Sequence, residues 1–519
     1  MPNSIDTPVL IVGAGPTGLA LALWLARLGV RFRIIDKTDG VAPFSRALGV
    51  HARTLEFYQQ LGFAEQAVAS GILVPSINLW SGQKRVVTVP FRDVGTGTTP
   101  FPFVLDFAQD AHERLLVSLL DQLGIAIERS TELTGFTDGA DAVHATLRHA
   151  TGATEECVCS YLAGCDGSHS IVRSGIGAQF MGGTYDHLFY VADVLARGPV
   201  VDGGIHVDLD EADLLAVFDM KGEGRIRLVG TIATDATGRG QRDVVFDDVA
   251  RRPIQQLHLE VEKVNWFSTY RVHHKVASHF RVGRAFLAGD AAHVHSPVGA
   301  QGMNTGIGDA VNLAWKLAAV IRDHADASLL DTYEVERIAF ARRLVATTDR
   351  AFEIVTKRGR VAAFARMKLF PLVVSWLFRV RAVRYYLFHT VSQLGIKYPD
   401  SPLSVGQAGS VRAGDRLPWV RPDSGVNDAA NFAPLASLRW QVHVYGDVAQ
   451  AARQACEDLG VELHAFDWRA TMQRSGLARG AIYLVRPDGY VALADATGGA
   501  ERLREYVASR PWVRSGNRV

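Results

Sequence analysis

Cysteine is scarce. Four cysteines in 519 residues cannot staple a disulfide scaffold, and Cys157-x-Cys159 has the wrong spacing for a redox CxxC pair. An excess of one charge is missing too. The chain carries 55 Lys and Arg against 54 Asp and Glu, so no global field draws it to nucleic acid or an anionic membrane. Long apolar runs are also absent. The longest, Leu369 to Phe378, is broken by Pro371 and Ser375 and falls far short of the ~20 residues that a membrane span needs. The first eight residues include Asp6 but no Lys or Arg, so no targeting segment is read there and a cytoplasmic protein is expected. His293-x-His295 and the group His273, His274 and His279 lack Cys or carboxylate neighbours at ligand spacing, so no metal site is expected. No repeat or low-complexity tract interrupts the chain.

Glycine is present in excess: 49 residues, where about 36 would be typical of this length. Several of them sit in patterns. Val9–Val12 reads as a buried strand, and the turn Gly13-x-Gly15-x-x-Gly18 follows it. Leu19–Leu28 has apolar residues at helical spacing and ends at Gly29. Phe32–Ile35 is a second strand with Asp36 at its end, which completes a βαβ unit. In such a unit Gly13 permits the tight turn, Gly15 lets a pyrophosphate approach the backbone, and Gly18 lets helix pack on strand. The helix start supplies free N–H groups. Asp36, eighteen residues past Gly18, is placed to accept from the ribose hydroxyls of an adenosine.

Two further patterns follow. Tyr161–Leu162–Ala163 leads into Cys165-Asp166-Gly167-Ser168-His169-Ser170-Ile171-Val172-Arg173. The buried strand Ala285–Ala288 leads into Gly289-Asp290, then through Pro297-Val298-Gly299-Ala300-Gln301-Gly302-Met303-Asn304 into a helix over 302–322. Asp290, at a strand end, can bind a polyol hydroxyl, and the glycine-rich helix start can face a negatively charged ring edge. Between these patterns, 184–280 alternates polar and apolar residues in short runs and predicts an inserted, mostly β segment. Residues 330–398 read as helical, with Leu369, Val373, Trp376 and Leu377 at core-facing spacing. Residues 399–434 contain Pro399, Pro402, Pro418, Pro422 and Pro434 and mark a boundary, beyond which strands and helices alternate.

The three patterns, in this order, resemble the class A flavin-dependent monooxygenases, the aromatic and phenolic hydroxylases, over residues 5–400. The resemblance implies an α/β fold: a Rossmann-like FAD-binding domain of the p-hydroxybenzoate hydroxylase type with an inserted β-rich substrate domain. The expected division is 1–183 for the first part of the FAD domain, 184–280 for the substrate domain, and 281–400 for the FAD domain's return and a helical segment. Residues 405–519 resemble the thioredoxin-like domain appended to many members, the match lying in Gly480 to Val491. Cys456 is the only cysteine there, so dithiol chemistry is not expected of it.

The family implies FAD as cofactor, NADPH or NADH as co-substrate, and hydroxylation of a small aromatic substrate by O2 through a flavin C4a-hydroperoxide. It implies a monomer or homodimer with no nucleic-acid partner. It places Gly13, Gly15, Pro16, Thr17 and Gly18 at the pyrophosphate, Asp36 and Lys37 at the adenosine end, and Arg46 beside the flavin and pyrophosphate, either to position the flavin or as a counter-charge to the pyrophosphate. Gln109 matches a glutamine that contacts FAD, and Asp166 and Arg173 match a motif tied to FAD and the reductant. Asp290 matches the ribitol-binding acid, and Pro297, Gly299, Gln301, Gly302, Met303 and Asn304 match the loop around the isoalloxazine. The chain departs from the pattern at Ala300 and Gly308, where Gly and Gln are expected. The general base is unassigned, with Tyr190, His206 and Tyr270 as candidates by location. Baeyer–Villiger insertion, epoxidation and a non-catalytic FAD-binding role remain open alternatives. A halogenase does not, because no Trp-x-Trp-x-Ile-Pro stretch is present. All the FAD motifs lie upstream of 405, so a chain cut there is expected to keep some flavin.

Overall fold

The structure is a computed structural model. It describes residues 5–44, 47–91, 94–208, 215–232, 244–249, 251–296, 299–356, 373, 376–421 and 430–510. Strand β1 (Thr7–Val12) is apolar and buried along almost its whole length, as a parallel strand covered on both faces must be. Helix α1 (Pro16–Arg27) leads to β2 (Phe32–Ile35), which lies parallel to β1 with Val12 opposite Ile35. Helix α2 (Gln109–Gln122) buries Leu115, Leu116 and Leu120 and packs on α1. Strand β3 (Thr154–Gly164) lies on the other side of β1, with Val12 opposite Gly164.

The chain then leaves this sheet. Strands β4 (Phe180–Arg197), β5 (Leu215–Asp219), β6 (Arg225–Ile232) and β7 (Glu260–Ala277) belong to a second one. Strand β8 (Ala285–Leu287) returns beside β3, with Gly164 opposite Leu287. The carboxyl ends of β2, β1, β3 and β8 therefore share one edge. Each is followed at once by a motif: Asp36, Gly13, Cys165-Asp166 and Gly289-Asp290. That edge is where parallel α/β sheets bind ligands. Helix α3 (Gly302–Ile321) packs on α1, and α4 (Asp331–Thr356) contacts α3.

Among the described residues the second sheet has eight strands, in the order His293–Val294, β7, β4, β6, β5, Ile205–Asp208, Ser76–Ser81, Lys84–Pro90. It reaches outside 184–280. β4 begins at Phe180, and two strands come from within 1–183. The reason is long-range pairing: Ser76–Ser81 lies parallel to Ile205–Asp208, with Asn78 opposite His206, and local alternation cannot reveal such a partner. The two faces of this sheet differ. Leu188, Tyr190, Ala192, Val194, Val217, Ile226 and Leu228 pack into one apolar core with Leu257 and Leu259. Phe189, Val191 and Asp193 alternate with them and point to the other face.

Residues 405–510 contain a mixed sheet in which Ile482–Val485 runs antiparallel to both Val491–Asp495 and Gln441–Tyr445. Helices Gln450–Leu459 and Ala500–Ala508 pack together beside it, and Cys456 is buried. The unit is fastened to the side of the chain that carries the first sheet and α3. Trp440 meets Trp315 of α3 edge-on at 5.7 Å, and the turn Arg486-Pro487-Asp488 bonds to Glu336, Gln60 and Arg53.

The helical stretch after 356 corrects one expectation. Val373 is 42% and Trp376 66% exposed, so the spacing that groups them does not bury them. Leu369 lies outside the described residues. Helical periodicity says which residues share a face, and not that the face finds a partner. Among the described residues no helix is long and apolar enough to cross a membrane.

Candidate active site

The glycine turn separates into two kinds of glycine. A Cβ on Gly13 (φ +102°) would fall on the carbonyl of Cys165, and one on Gly18 would fall on the carbonyl of Gly13. Both are required by the chain's own packing. A Cβ on Gly15 would meet nothing within 4 Å. Here the chain leaves open the space into which a ligand would come. Gly15 is also the N-cap of α1 and offers no side chain to its first turn, so those N–H groups face the same space. Asp36 braces the turn. It accepts from Ala14 N at 2.6 Å and from Thr38 N and Oγ1 at 2.8 and 2.6 Å. A carboxylate has about four acceptor directions, so one remains for a hydroxyl. Lys37 is exposed beside it.

Asp166 uses only half of its carboxylate. Oδ2 accepts from Ile171 N and Val172 N at 2.8 and 3.3 Å, while Oδ1 is buried without a partner among the described residues. An unsatisfied buried acceptor is costly unless a bound group completes it. Arg173 is taken up by the protein: it donates to Ser168 O and Ala291 O at 2.8 and 3.0 Å and lies 4.0 Å over the Phe180 ring. It thereby ties the second motif to the third.

The Gly289-Asp290 turn rests on Asp309 of α3. Gly289 N donates to Asp309 Oδ2 at 3.0 Å, His293 Nε2 lies 2.7 Å from the same oxygen, and Arg337 Nε donates to Oδ1 at 2.6 Å. Burial pushes the Asp309 carboxyl up, but Arg337 and His293 outweigh it and hold it below the usual carboxylate range. Thr17 is wedged between Gly289 and Gly306, where any Cβ would strike it. Asp290 is exposed at the end of β8. The departure at Gly308 has a physical reason: a Cβ there would come within 3.2 Å of Arg337 Nη2, so glycine makes room for the guanidinium that holds Asp309.

In the third motif Gly299 and Ala300 both have left-handed backbone, φ +80° and +51°. Ala300 pays a strain that glycine avoids. His51 Nε2 bonds to Gly299 O at 2.8 Å, and burial pushes this imidazole down to about 4, which keeps it neutral. Asn304 is fully used by the protein. Its Oδ1 accepts from His51 N and Thr54 Oγ1 at 2.9 and 2.8 Å, and its Nδ2 donates to Gly49 O and Ala300 O at 2.9 Å each. Any contact it makes with a ligand runs through its backbone. Gln301, Gly302 and Met303 start α3, which has no side-chain cap. Pro297 and Arg46 lie outside the described residues.

Ala47, next to Arg46, is a junction. Gln109 N donates to Ala47 O at 3.1 Å, and Ala47 N donates to Gln109 Oε1 at 3.4 Å. Gln109 Nε2 donates to Glu113 at 2.8 Å. From the second sheet, Arg227 Nη1 donates to the same Ala47 O at 3.1 Å. Arg227 is wholly buried and held bidentately by Asp193 at 2.7 and 2.8 Å. Sequence reasoning missed Arg227, Asp309 and His51. Arg227 and His51 carry no local signal, because each acts on a partner far along the chain, and Asp309 lies inside α3, beyond the motif and away from any strand end.

Arg227 also tells the faces of the sheet apart. Asp193 pairs with Arg227 and Trp266, Val191 with Val229 and Ser268, and Phe189 with Thr231 and Tyr270. These residues form the face turned to Ala47. Of the three candidate bases, Tyr270 is on this face. Tyr190 is packed in the opposite core. His206 is wholly buried, accepts from Trp80 Nε1 at 2.9 Å and meets Asp202 at 2.8 Å, which leaves its imidazole no free nitrogen. Near the junction, burial and the neighbouring Asp219 push the Asp106 carboxyl up to about 8 although Arg227 opposes them.

Comparison with known proteins fits this geometry. The family described as FAD binding domain matches residues 6–348. The 6-methylpretetramide 4-monooxygenase of Streptomyces rimosus is 35% identical, over 97% of this chain and 93% of its own. The pentachlorophenol 4-monooxygenase of Sphingobium chlorophenolicum is 31% identical, over 94% of each. The crystal structure of aklavinone-11 hydroxylase with FAD and aklavinone superposes with a TM-score of 0.76 at 26% identity, over 98% of this chain and 99% of that one.

Proposed function

The chain belongs to the FAD-binding-domain family of flavin-dependent monooxygenases, and from that membership we propose that it hydroxylates a planar, polycyclic phenol. FAD is the cofactor of this family and NAD(P)H the reductant. When bound, FAD supplies the redox and oxygen-transfer chemistry. The protein binds, orients and shields.

The residues fit the cofactor. Gly15 and the uncapped start of α1 would receive the pyrophosphate, and the remaining acceptor direction of Asp36 would take an adenosine-ribose hydroxyl. Asp290, set on Asp309, would take the ribitol, and the uncapped start of α3 would face the ring edge. Gln109 would hold the loop next to Arg46.

One observation carries the substrate reading: the sheet face turned to Ala47. Phe218, Trp266 and Tyr270 supply half-buried aromatic surface over the buried Phe189 and Val191, and the buried charge pair Asp193–Arg227 is already neutralised. A flat ring system lies against such a wall without leaving a buried charge unmet. Of the three candidate bases, Tyr270 is the one on this wall, and its phenol would orient a phenolic substrate. The packing of Tyr190 in the opposite core and the occupied nitrogens of His206 argue against either as a proton carrier. Residues 405–510, with their mixed sheet, serve as a thioredoxin-like brace rather than a redox partner.

The test is aerobic NAD(P)H oxidation by the FAD-loaded protein with one-ring and polycyclic phenols, followed by product mass. Polycyclic phenols should accelerate oxidation and gain one oxygen atom. Acceleration by one-ring phenols alone would overturn the substrate reading.

A further inference from the structure

The wall turned to Ala47 ends in a ring stack. Phe44, three residues before Ala47, lies on Trp266 of β7 with centroids 5.3 Å apart and planes within 3°. Neither ring is buried in a core: Phe44 is 39% exposed and Trp266 is half-buried. Any apolar pair would serve to cover this spot, so position is what distinguishes these two. Trp266 pairs directly with Asp193, which puts its ring at the strand level of Arg227. Arg227 bonds to Ala47 O. Phe44 and Ala47 are thus each tied to one level of the sheet. The Ala47 tie is part-buried and made by a charged guanidinium. The Phe44 tie is half-exposed and purely aromatic, and an aromatic contact can be exchanged for another without desolvating a polar group.

We propose that Phe44 and Trp266 select substrates by ring number, Phe44 yielding its place on Trp266 to the far ring of a planar polycyclic phenol. This rests on the substrate reading above. Trp266, Ser268 and Tyr270 face the same way along β7. At ~3.3 Å per residue the row spans about 13 Å, a length that several fused rings cover and a single ring does not. A one-ring phenol held at the Tyr270 end never reaches Trp266. A longer one gains the tryptophan face and loses only the contact that Phe44 already made. Trp266 is therefore a specificity-determining residue, and Phe44 is its occupant in the absence of substrate.

The test uses FAD-loaded full-length protein, titrated with anhydrotetracycline, which has four fused rings, and with pentachlorophenol, which has one. Binding is read from the flavin fluorescence. Trp266→Ala should raise the Kd for anhydrotetracycline about tenfold and leave that for pentachlorophenol within about twofold. Trp266→Phe should restore most of the lost affinity. Phe44→Ala removes the competing ring and should lower the anhydrotetracycline Kd about threefold. FAD content checks that each variant is folded. Equal weakening of both probes, or of neither, in an FAD-loaded Trp266→Ala protein overturns the proposal. Where that variant does not retain FAD, Phe44→Ala decides: weaker anhydrotetracycline binding overturns the proposal as well. Wild-type protein that binds both probes equally instead overturns the polycyclic reading, and it does so before any variant is compared.

Discussion

Replacing Arg486 with Met tests whether the C-terminal unit is fastened to the FAD side or only lies against it. Arg486 donates to both oxygens of Glu336 at 2.7 and 3.0 Å and to both oxygens of Asp488 at 2.9 and 2.5 Å. Lys316 donates to Glu336 at 2.9 Å, and all four side chains are at most 1% exposed. The cluster is balanced: Arg486 and Lys316 against Glu336 and Asp488. Methionine replaces the apolar stem but strands one negative charge in the interior. Breaking a buried pair in this way costs about 3–5 kcal/mol. A protein of ordinary stability has only about 5–15 kcal/mol in total, so the loss is easily measured.

The cost depends on pH, and its sign is fixed. Burial pushes the Glu336 carboxyl up, but Arg486 and Lys316 outweigh it and hold it far below the usual range. Without Arg486 it rises and takes up a proton more readily, which relieves the stranded charge. The variant should therefore be less damaged at pH 5 than at pH 8. A charge-balanced partner, Arg486→Met with Asp488→Asn, removes one charge of each sign and keeps the Lys316–Glu336 pair. It should recover about 1–3 kcal/mol of the single variant's loss. Urea unfolding followed by tryptophan and flavin fluorescence reads both ends of the interface, since Trp315 and Trp440 face each other across it. A single-variant loss under about 1 kcal/mol, or a double variant worse than the single, would refute the reasoning. Deleting 405–519 removes Arg486 and Trp440 together. That truncate should therefore hold FAD more weakly than the full chain or lose solubility, which revises the expectation drawn from motif position alone that the cut chain keeps some flavin.

Two further outcomes are expected. Gly15→Ala should leave the apo fold intact and weaken FAD binding at least tenfold, since its methyl meets nothing but the ligand's space, whereas Gly18→Ala should destabilise the fold itself. Equal Tm losses in the two FAD-free proteins would count against this division of the turn. Asp106→Asn should stabilise the protein most at high pH. The folded carboxyl keeps its proton to about pH 8 while an unfolded aspartate loses it near 4, so wild-type stability falls as pH rises between the two. The gain from Asn should grow by up to about 1.4 kcal/mol per pH unit across that window and then level off. Thermal melts at pH 5 and pH 8 give the sign, and an equal gain at both would refute it.

The parts of the fold legible in the sequence were those encoded within about thirty residues. The βαβ unit, its glycine turn and Asp36 were readable because turn, helix and strand are consecutive and each limits the next. The second sheet was readable as β but not in extent, since Ser76–Ser81 and Ile205–Asp208 pair across a long stretch of chain that carries no trace of the match. The same limit hid Arg227 and Arg486, whose partners Ala47 and Glu336 are 180 and 150 residues away in sequence.

Motif resemblance has a second limit, visible inside the glycine turn and at Asn304. A motif marks residues that the site requires, without separating those that touch the ligand from those that hold the ones that do. Gly13 and Gly18 fit against the chain itself, and only Gly15 opens onto space. Asn304 spends all its hydrogen bonds on Gly49, His51, Thr54 and Ala300, which fixes the loop whose backbone faces the ligand. Arg173 spends its own on Ser168 and Ala291. Substituting such a residue would abolish cofactor binding as surely as removing a direct contact. Cofactor loss alone therefore cannot assign a role, whereas stability of the FAD-free protein can: a contact residue such as Gly15 leaves it unchanged, and a holding residue such as Asn304 lowers it.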